Sequence, residues 1–173
     1  MRSQKSLGGR LLMAAVFVAL VSACGSQPKP NSADKTFVAQ MVPHHQLGVD
    51  MIDSAVLRSD DVRLRKLVFQ MQSYHEHELH QLSSLLQQWE ISPAEIFPGS
   101  IDPSRLATID QLSGPAYDIA WLNAMIEHHE GAVAIGKEEI ASGQLPDLID
   151  MAKKVVSTQQ AEIIEMQKLL DEK

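Results

Sequence analysis

Two runs of this chain carry the same donor groups in the same order. Asp34-x-x-Phe37-x-x-x-Met41-Val42-x-His44-His45 and Asp118-x-x-Trp121-x-x-x-Met125-Ile126-x-His128-His129 share the pattern D-x-x-[FW]-x-x-x-M-[VI]-x-H-H, 84 positions apart. With that offset held and no gap, residues 34–89 lie over residues 118–173. Ten of the 56 positions are then identical: Asp34, Met41, His44, His45, Val49, Leu64, Ser73, Glu78, Leu85 and Leu86, each with its mate. Half of these identities fall on imidazole, carboxylate or thioether, the side-chain groups that bind transition metals. An internal repeat that has diverged elsewhere but keeps Met, His-His and Glu in both halves points to a site shared between the halves.

The helical phase of these residues decides whether they can meet. At alternating steps of three and four, one seam reads Leu64, Val68, Met71, His75, Glu78, Leu82, Leu85, Trp89, and its counterpart reads Leu148, Ala152, Val155, Gln159, Glu162, Met166, Leu169. The other two seams are Phe37, Met41, His44, Gly48, Met51, Ala55 and Trp121, Met125, His128, Ala132, Ile135, flanked by His45 and His129. Each seam is apolar except at one level. A buried carboxylate costs on the order of several kcal/mol unless it is paired or binds a cation. Glu78 and Glu162 therefore need partners, and the histidines can serve either as hydrogen-bonded neighbours in a buried network or as joint ligands of a metal ion.

The candidate metal ligands are His44, His45, His128, His129, Met41, Met125, His75, Glu78 and Glu162. Met41 and Met125 are equally compatible with simple core packing. Gln159, Asp34 and Asp118 are candidates to support ligands from behind, although both aspartates also read as helix caps or first-turn charges. His77 and His80 have no counterpart in the second half and read as surface residues, at most an accessory site with Glu76. Gly48 reads as close helix packing.

Four long helices are predicted to position these groups: about 35–57, capped by Asp34 and kinked near Pro43; 60–89; 116–142; and from Pro146 or Asp147 almost to the last residue. Residues 90–115 contain four prolines and a possible short helix over 104–112, a connection long enough to cross the end of a bundle. The links within each half are short, so each half is a helical hairpin. Two such hairpins give an all-α four-helix bundle with internal pseudo-symmetry, a single domain over 34–173.

Upstream, Arg2, Lys5 and Arg10 precede an uncharged apolar run from Leu11 to Leu20 and then Val21-Ser22-Ala23-Cys24. This reads as a lipoprotein signal peptide over 1–23, with Cys24 as the lipidated residue and 24–33 as a polar tether. The expectation is an extracytoplasmic, membrane-anchored protein in the periplasm or cell envelope. With Cys24 the only cysteine, no intramolecular disulfide or thiolate metal site is available to the folded domain. From residue 24 onward, 12 basic residues face 22 acidic ones, a formal balance of about −10 that disfavours nucleic acid as a partner.

Imidazole with carboxylate suits zinc, iron, manganese or copper, while thioether turns the balance toward copper, as Cu(I) or Cu(II), with zinc or iron second. A ferritin-type di-iron site needs Glu-x-x-His pairs. This chain has the reverse order, His75-x-x-Glu78, and only once. Nor does it contain a nucleophile triad, a phosphate-binding glycine loop or His-Glu-x-x-His. The residues thus describe a metal-binding protein for buffering, resistance or transfer, with a metal-dependent oxidoreductase and a metal-free structural or partner-binding lipoprotein as alternatives.

The same residues resemble a bacterial family, domain-of-unknown-function family 305. Its pattern matches Asp118, Trp121, Met125, Ile126, His128, His129 and Ala132, then Gln159, Glu162, Ile163 and Met166, and extends over about residues 34–170. The resemblance implies a ferritin-like helical bundle, export, and copper as a ligand of some members, without implying an activity. Pro43 before His44, and His75 where the family has glutamine, set the first half apart.

Overall fold

The computed structural model describes residues 28–173. The signal segment and Cys24 lie outside the described residues. Five helices follow in order: α1 (Ser32–Arg58), α2 (Val62–Gln88), α3 (Pro103–Ile109), α4 (Gly114–Ser142) and α5 (Pro146–Asp171). Among the described residues there is no strand, and no helix is long and apolar enough to cross a membrane.

Local chemistry sets the helix ends. Asn31, not Asp34, caps α1. Its Oδ1 accepts from the Asp34 N–H at 2.9 Å, and Asp34 Oδ2 accepts from the Asn31 N–H at 2.6 Å, a reciprocal capping box. Ser32 and Ala33 thus belong to the helix rather than to a tether. Asp61 caps α2 through the N–H groups of Arg63 and Leu64. Glu90, at a φ of 53°, ends α2 in the left-handed region and lets the Ile91 N–H reach the Leu86 carbonyl.

The fold is a four-helix bundle made of two hairpins, α1–α2 and α4–α5, joined along α1 and α4, while the neighbours α2 and α5 meet far less closely. Its apolar core is in two parts. One contains Met51, Ile52, Leu64, Met71, Trp121, Met125 and Met166. The other contains Phe37, Met41, Leu82, Ala132, Ile135 and Val155. Every long helix passes from one part to the other, and at the crossing level it carries His44–His45, His75–Glu78, His128–His129 or Gln159–Glu162. A polar layer therefore divides the core midway along the bundle.

The repeated aspartates hold the two hairpins together at opposite ends. Asp34 Oδ1 accepts from the N–H groups of Gln144 and Leu145 in the α4–α5 turn, both at 3.0 Å. Asp118 accepts from Ser59 Oγ in the α1–α2 turn and from Lys173 Nζ, both at 2.7 Å. Each aspartate begins one hairpin and fixes the turn of the other, so neither stands behind a histidine. The expectation that they support ligands is corrected accordingly.

Pro43 does not end α1, which continues unbroken through it. A proline has no N–H to give the carbonyl four residues earlier, so Ala39 loses its intrahelical partner. That carbonyl accepts instead from Ala94 N–H at 2.8 Å. The long connection is thereby drawn along the flank of α1 and α4, at the level of the histidines, rather than across the end of the bundle.

Candidate metal centre

All five layer histidines are at most 2% exposed. Their rings form a closed circuit by centroid distance: His44–His45 6.0 Å, His45–His75 5.1 Å, His75–His129 5.7 Å, His129–His128 6.1 Å and His128–His44 3.7 Å. The last pair is stacked, 19° from parallel. Three helices supply the circuit, which is why no single stretch of sequence displays it.

Each ring has one nitrogen facing a group that can only accept, or is best served as an acceptor. His44 Nε2 donates to the His128 carbonyl (2.9 Å), His128 Nδ1 to the Gly99 carbonyl (2.9 Å) and His75 Nδ1 to the Met71 carbonyl (3.1 Å). His45 Nε2 donates to Glu78 Oε2 (2.7 Å), and His129 Nε2 to Glu162 Oε2 (2.9 Å). The two carboxylate pairs are repeat mates, each separated by 33 residues. A carbonyl cannot donate, so the ring nitrogen facing it carries the proton. For His44, His75 and His128 the other nitrogen is then a lone pair, and in all five rings the second nitrogen is buried without a partner: Nδ1 of His44, His45 and His129, and Nε2 of His75 and His128. Second-side hydrogen bonds of this kind fix the tautomer and direction of metal-ligating histidines.

Burial disfavours the charged form of His44, His75, His128 and His129, and the neutral form is the one that binds metal. Desolvation holds His44, His75 and His128 well below the usual histidine range, with neighbouring histidines adding to the effect. Desolvation, then His45, brings His129 down to about 3. Glu162 moves the other way, up to about 7, through burial and then the nearby carboxylate of Glu78. The Glu78 and Glu162 side chains keep 17% and 10% exposure, so the layer meets solvent through its carboxylates.

Gly48 is a point of close helix packing, and what packs against it is a pair of histidine rings. A Cβ there would stand 2.6 Å from His75 Cδ2, 3.0 Å from His75 Nε2 and 3.1 Å from His128 Nε2. Two unpartnered nitrogens from α2 and α4 thus converge on the space this glycine leaves. The repeat mates of Gly48 and His75 are Ala132 and Gln159, so the second half has a methyl and an amide at those positions. Gln159 is buried with Oε1 unpartnered. The layer is asymmetric at both positions together.

Among the described residues, no three His, Cys, Asp or Glu side chains already stand as a metal-coordinating set. The donor chemistry fits an ion: neutral imidazoles, lone pairs without partners, and carboxylates at the edge. Met41 and Met125 are fully buried, one in each apolar part and one turn from the histidine pair of their own helix. His77 and His80 are exposed on α2, beside a shallow hollow lined by Phe69, Ser73 and Glu76, outside the layer. Phe97, Gly99 and Gly131 also border the site. Their only sequence signal was Pro98-Gly99 in the connection and a glycine two positions after His129.

The architecture defines an all-α four-helix bundle whose core is interrupted by a buried, hydrogen-bonded histidine layer. The chain belongs to the DUF305 family, described as a domain of unknown function, whose model matches residues 34–170. It is similar to a DUF305 protein from Streptomyces coelicolor, described as a candidate secreted protein, at 25% identity and a TM-score of 0.76, over 82% of this chain and 93% of that one. It is also similar to CopM in a Cu(II)-bound form, at 26% identity and a TM-score of 0.67, over 80% of this chain and 97% of that one. A silver-bound form of CopM gives 26% identity and 0.67, over 80% and 95%. Comparison with curated proteins gives no match.

Proposed function

We propose that this protein binds copper in the histidine layer and buffers or transfers the ion outside the cytoplasm, without turnover. The observation that carries the reading is the set of five buried imidazoles, each donating through one nitrogen and leaving the other unpartnered. A purely structural network would satisfy both nitrogens, since an unmet buried polar atom costs about 1–3 kcal/mol. His75 Nε2 and His128 Nε2 beside Gly48 are the starting pair of ligands, with His44, His45 and His129 completing the set. Met41 and Met125 are the soft donors within one turn, favouring Cu(I). Glu78 and Glu162 hold His45 and His129 and balance the ion's charge. The copper- and silver-bound forms of CopM support this choice of metal.

Calorimetric titration with Cu(I), Cu(II) and Zn(II) tests the proposal. Copper is expected to bind the protein at least tenfold more tightly than the His44→Ala/His128→Ala variant and to raise its melting temperature, as a ligand of the native state must. Equal affinity for both proteins, or an unchanged melting temperature, would leave a metal-free structural lipoprotein as the better account. The basic and apolar leader ending in Val-Ser-Ala-Cys24 supports membrane anchoring, and the secreted relative supports export. Cys24→Ala is expected to move the protein from the membrane fraction to the soluble one.

A further inference from the structure

The connection between the hairpins forms a strap over one side of the histidine layer, and the two halves of the repeat differ at the positions that hold it. On α1, Pro43 frees the Ala39 carbonyl for the Ala94 N–H. The repeat mate of Pro43 is Glu127, which has an N–H, so α4 offers no such docking point. On α4, Gly131 lies back to back with Gly99, and a Cβ on Gly131 would overlap the Cα and N of Gly99. The repeat mate of Gly131 is Leu47, which could not allow that approach. Gly99 itself has a φ of 76°, and a Cβ on it would stand 2.5 Å from the His128 carbonyl and 3.1 Å from His44 Nε2. Phe97 sets its ring against the His44 ring edgewise, with centroids 5.8 Å apart.

His44 and His128 are repeat mates, yet they use opposite nitrogens. His44 donates Nε2–H to the His128 carbonyl and leaves Nδ1 free. His128 donates Nδ1–H to the Gly99 carbonyl and leaves Nε2 free, next to His75 Nε2 and Gly48. The strap supplies the acceptor responsible for that difference.

We infer that the Ala94–Gly99 strap is a positioning element: by accepting a hydrogen bond from His128 Nδ1–H at the Gly99 carbonyl, it turns Nε2 toward His75 and makes the site one-sided. Gly99 is the positioning residue, and Pro43 and Gly131 are the features of α1 and α4 that hold the strap. The inference deepens the copper reading above and rests on it for its functional meaning, but the tautomer itself is a property of the metal-free protein.

The test uses long-range ¹⁵N–¹H NMR of the histidine rings in the metal-free protein. The expected result is Nδ1–H for His128 and Nε2–H for His44. Pro43→Ala restores an N–H that competes for the Ala39 carbonyl. Amide exchange at Ala94 should accelerate at least tenfold, and His128 should lose its single tautomer while the bundle keeps its helicity. Gly99→Ala, which disturbs the strap from its other end, should produce the same change at His128. In both variants Cu(II) should bind roughly 10- to 100-fold more weakly, the range for removing a group that orients a ligand. Finding Nε2–H on His128 in the unaltered protein would overturn the inference. So would an unchanged Nδ1–H tautomer in both variants. A protein with the expected tautomers that binds no copper would refute the functional reading and leave the strap's role in place.

Discussion

Gly48→Ala tests stability and binding separately. Alanine is the better helix former, and on an open helix face the exchange is worth about 0.5–1 kcal/mol. Here the new methyl carbon would stand 2.6 Å from His75 Cδ2 and within 3.0–3.1 Å of two Nε2 atoms. Ordinary carbon contacts lie near 3.5–4.0 Å, so the His75 ring must retreat by about 1 Å. Its hydrogen bond to the Met71 carbonyl resists that movement. Overpacking of this size costs about 1–3 kcal/mol. Set against the propensity gain, net destabilisation should be about 0–2.5 kcal/mol, a change of a few degrees in melting temperature. Metal sites tolerate only about 0.5 Å of misplacement, so copper affinity should fall at least tenfold. Competition with a chelating indicator measures the affinity, and urea unfolding of the metal-free variant measures the stability. A variant that binds copper as tightly as the parent would refute the convergence of ligands beside Gly48.

His75→Gln places in the first half the residue the second half already has. Copper affinity should drop at least roughly tenfold, while the metal-free protein loses little stability, because the Nε2 it gives up had no partner. Asp34→Ala and Asp118→Ala remove the links between hairpins and should lower stability by about 1–3 kcal/mol each with copper affinity unchanged, and a selective loss of affinity would return them to the site. Glu139 is buried, and desolvation followed by its interaction with Asp34 raises its pKa to about 7, from 4.5. The folded state then holds a proton the unfolded state has released. Stability from this group is complete below pH 4.5 and is lost as pH rises toward 7, at up to about 1.4 kcal/mol per unit. The buried neutral histidines act in the opposite sense over this range, so Glu139→Gln should make the urea midpoint rise more steeply with pH between 4.5 and 7 than in the parent, and an unaltered slope would contradict the assignment.

The bundle was legible because its signals are local and periodic. Seams at steps of three and four, the proline-rich connection between the halves and Pro146 at the start of α5 placed all four long helices within a few residues. The common level of His44, His75, His128, Glu78 and Glu162 was legible for the same reason. The strap was not. The hydrogen bond from Ala94 to Ala39 spans 55 residues, and a proline in a helix announces a missing donor without naming its replacement. Gly48 carried no sign of its role, since a glycine that admits a neighbouring helix and one that admits two imidazoles look alike in sequence. Recurrence beside a ligand motif does not by itself place Asp34 and Asp118 in the site. They recur because each hairpin must fix the turn of the other.

Anomalous diffraction at the copper edge, from crystals of the copper-loaded protein, tests the central claim most directly. The account predicts a copper peak inside the histidine layer, about 2.0–2.1 Å from His75 Nε2 and His128 Nε2, the usual imidazole–metal distance for a comparable ion. Copper found only at exposed residues such as His77 and His80, with the layer unchanged, would contradict it.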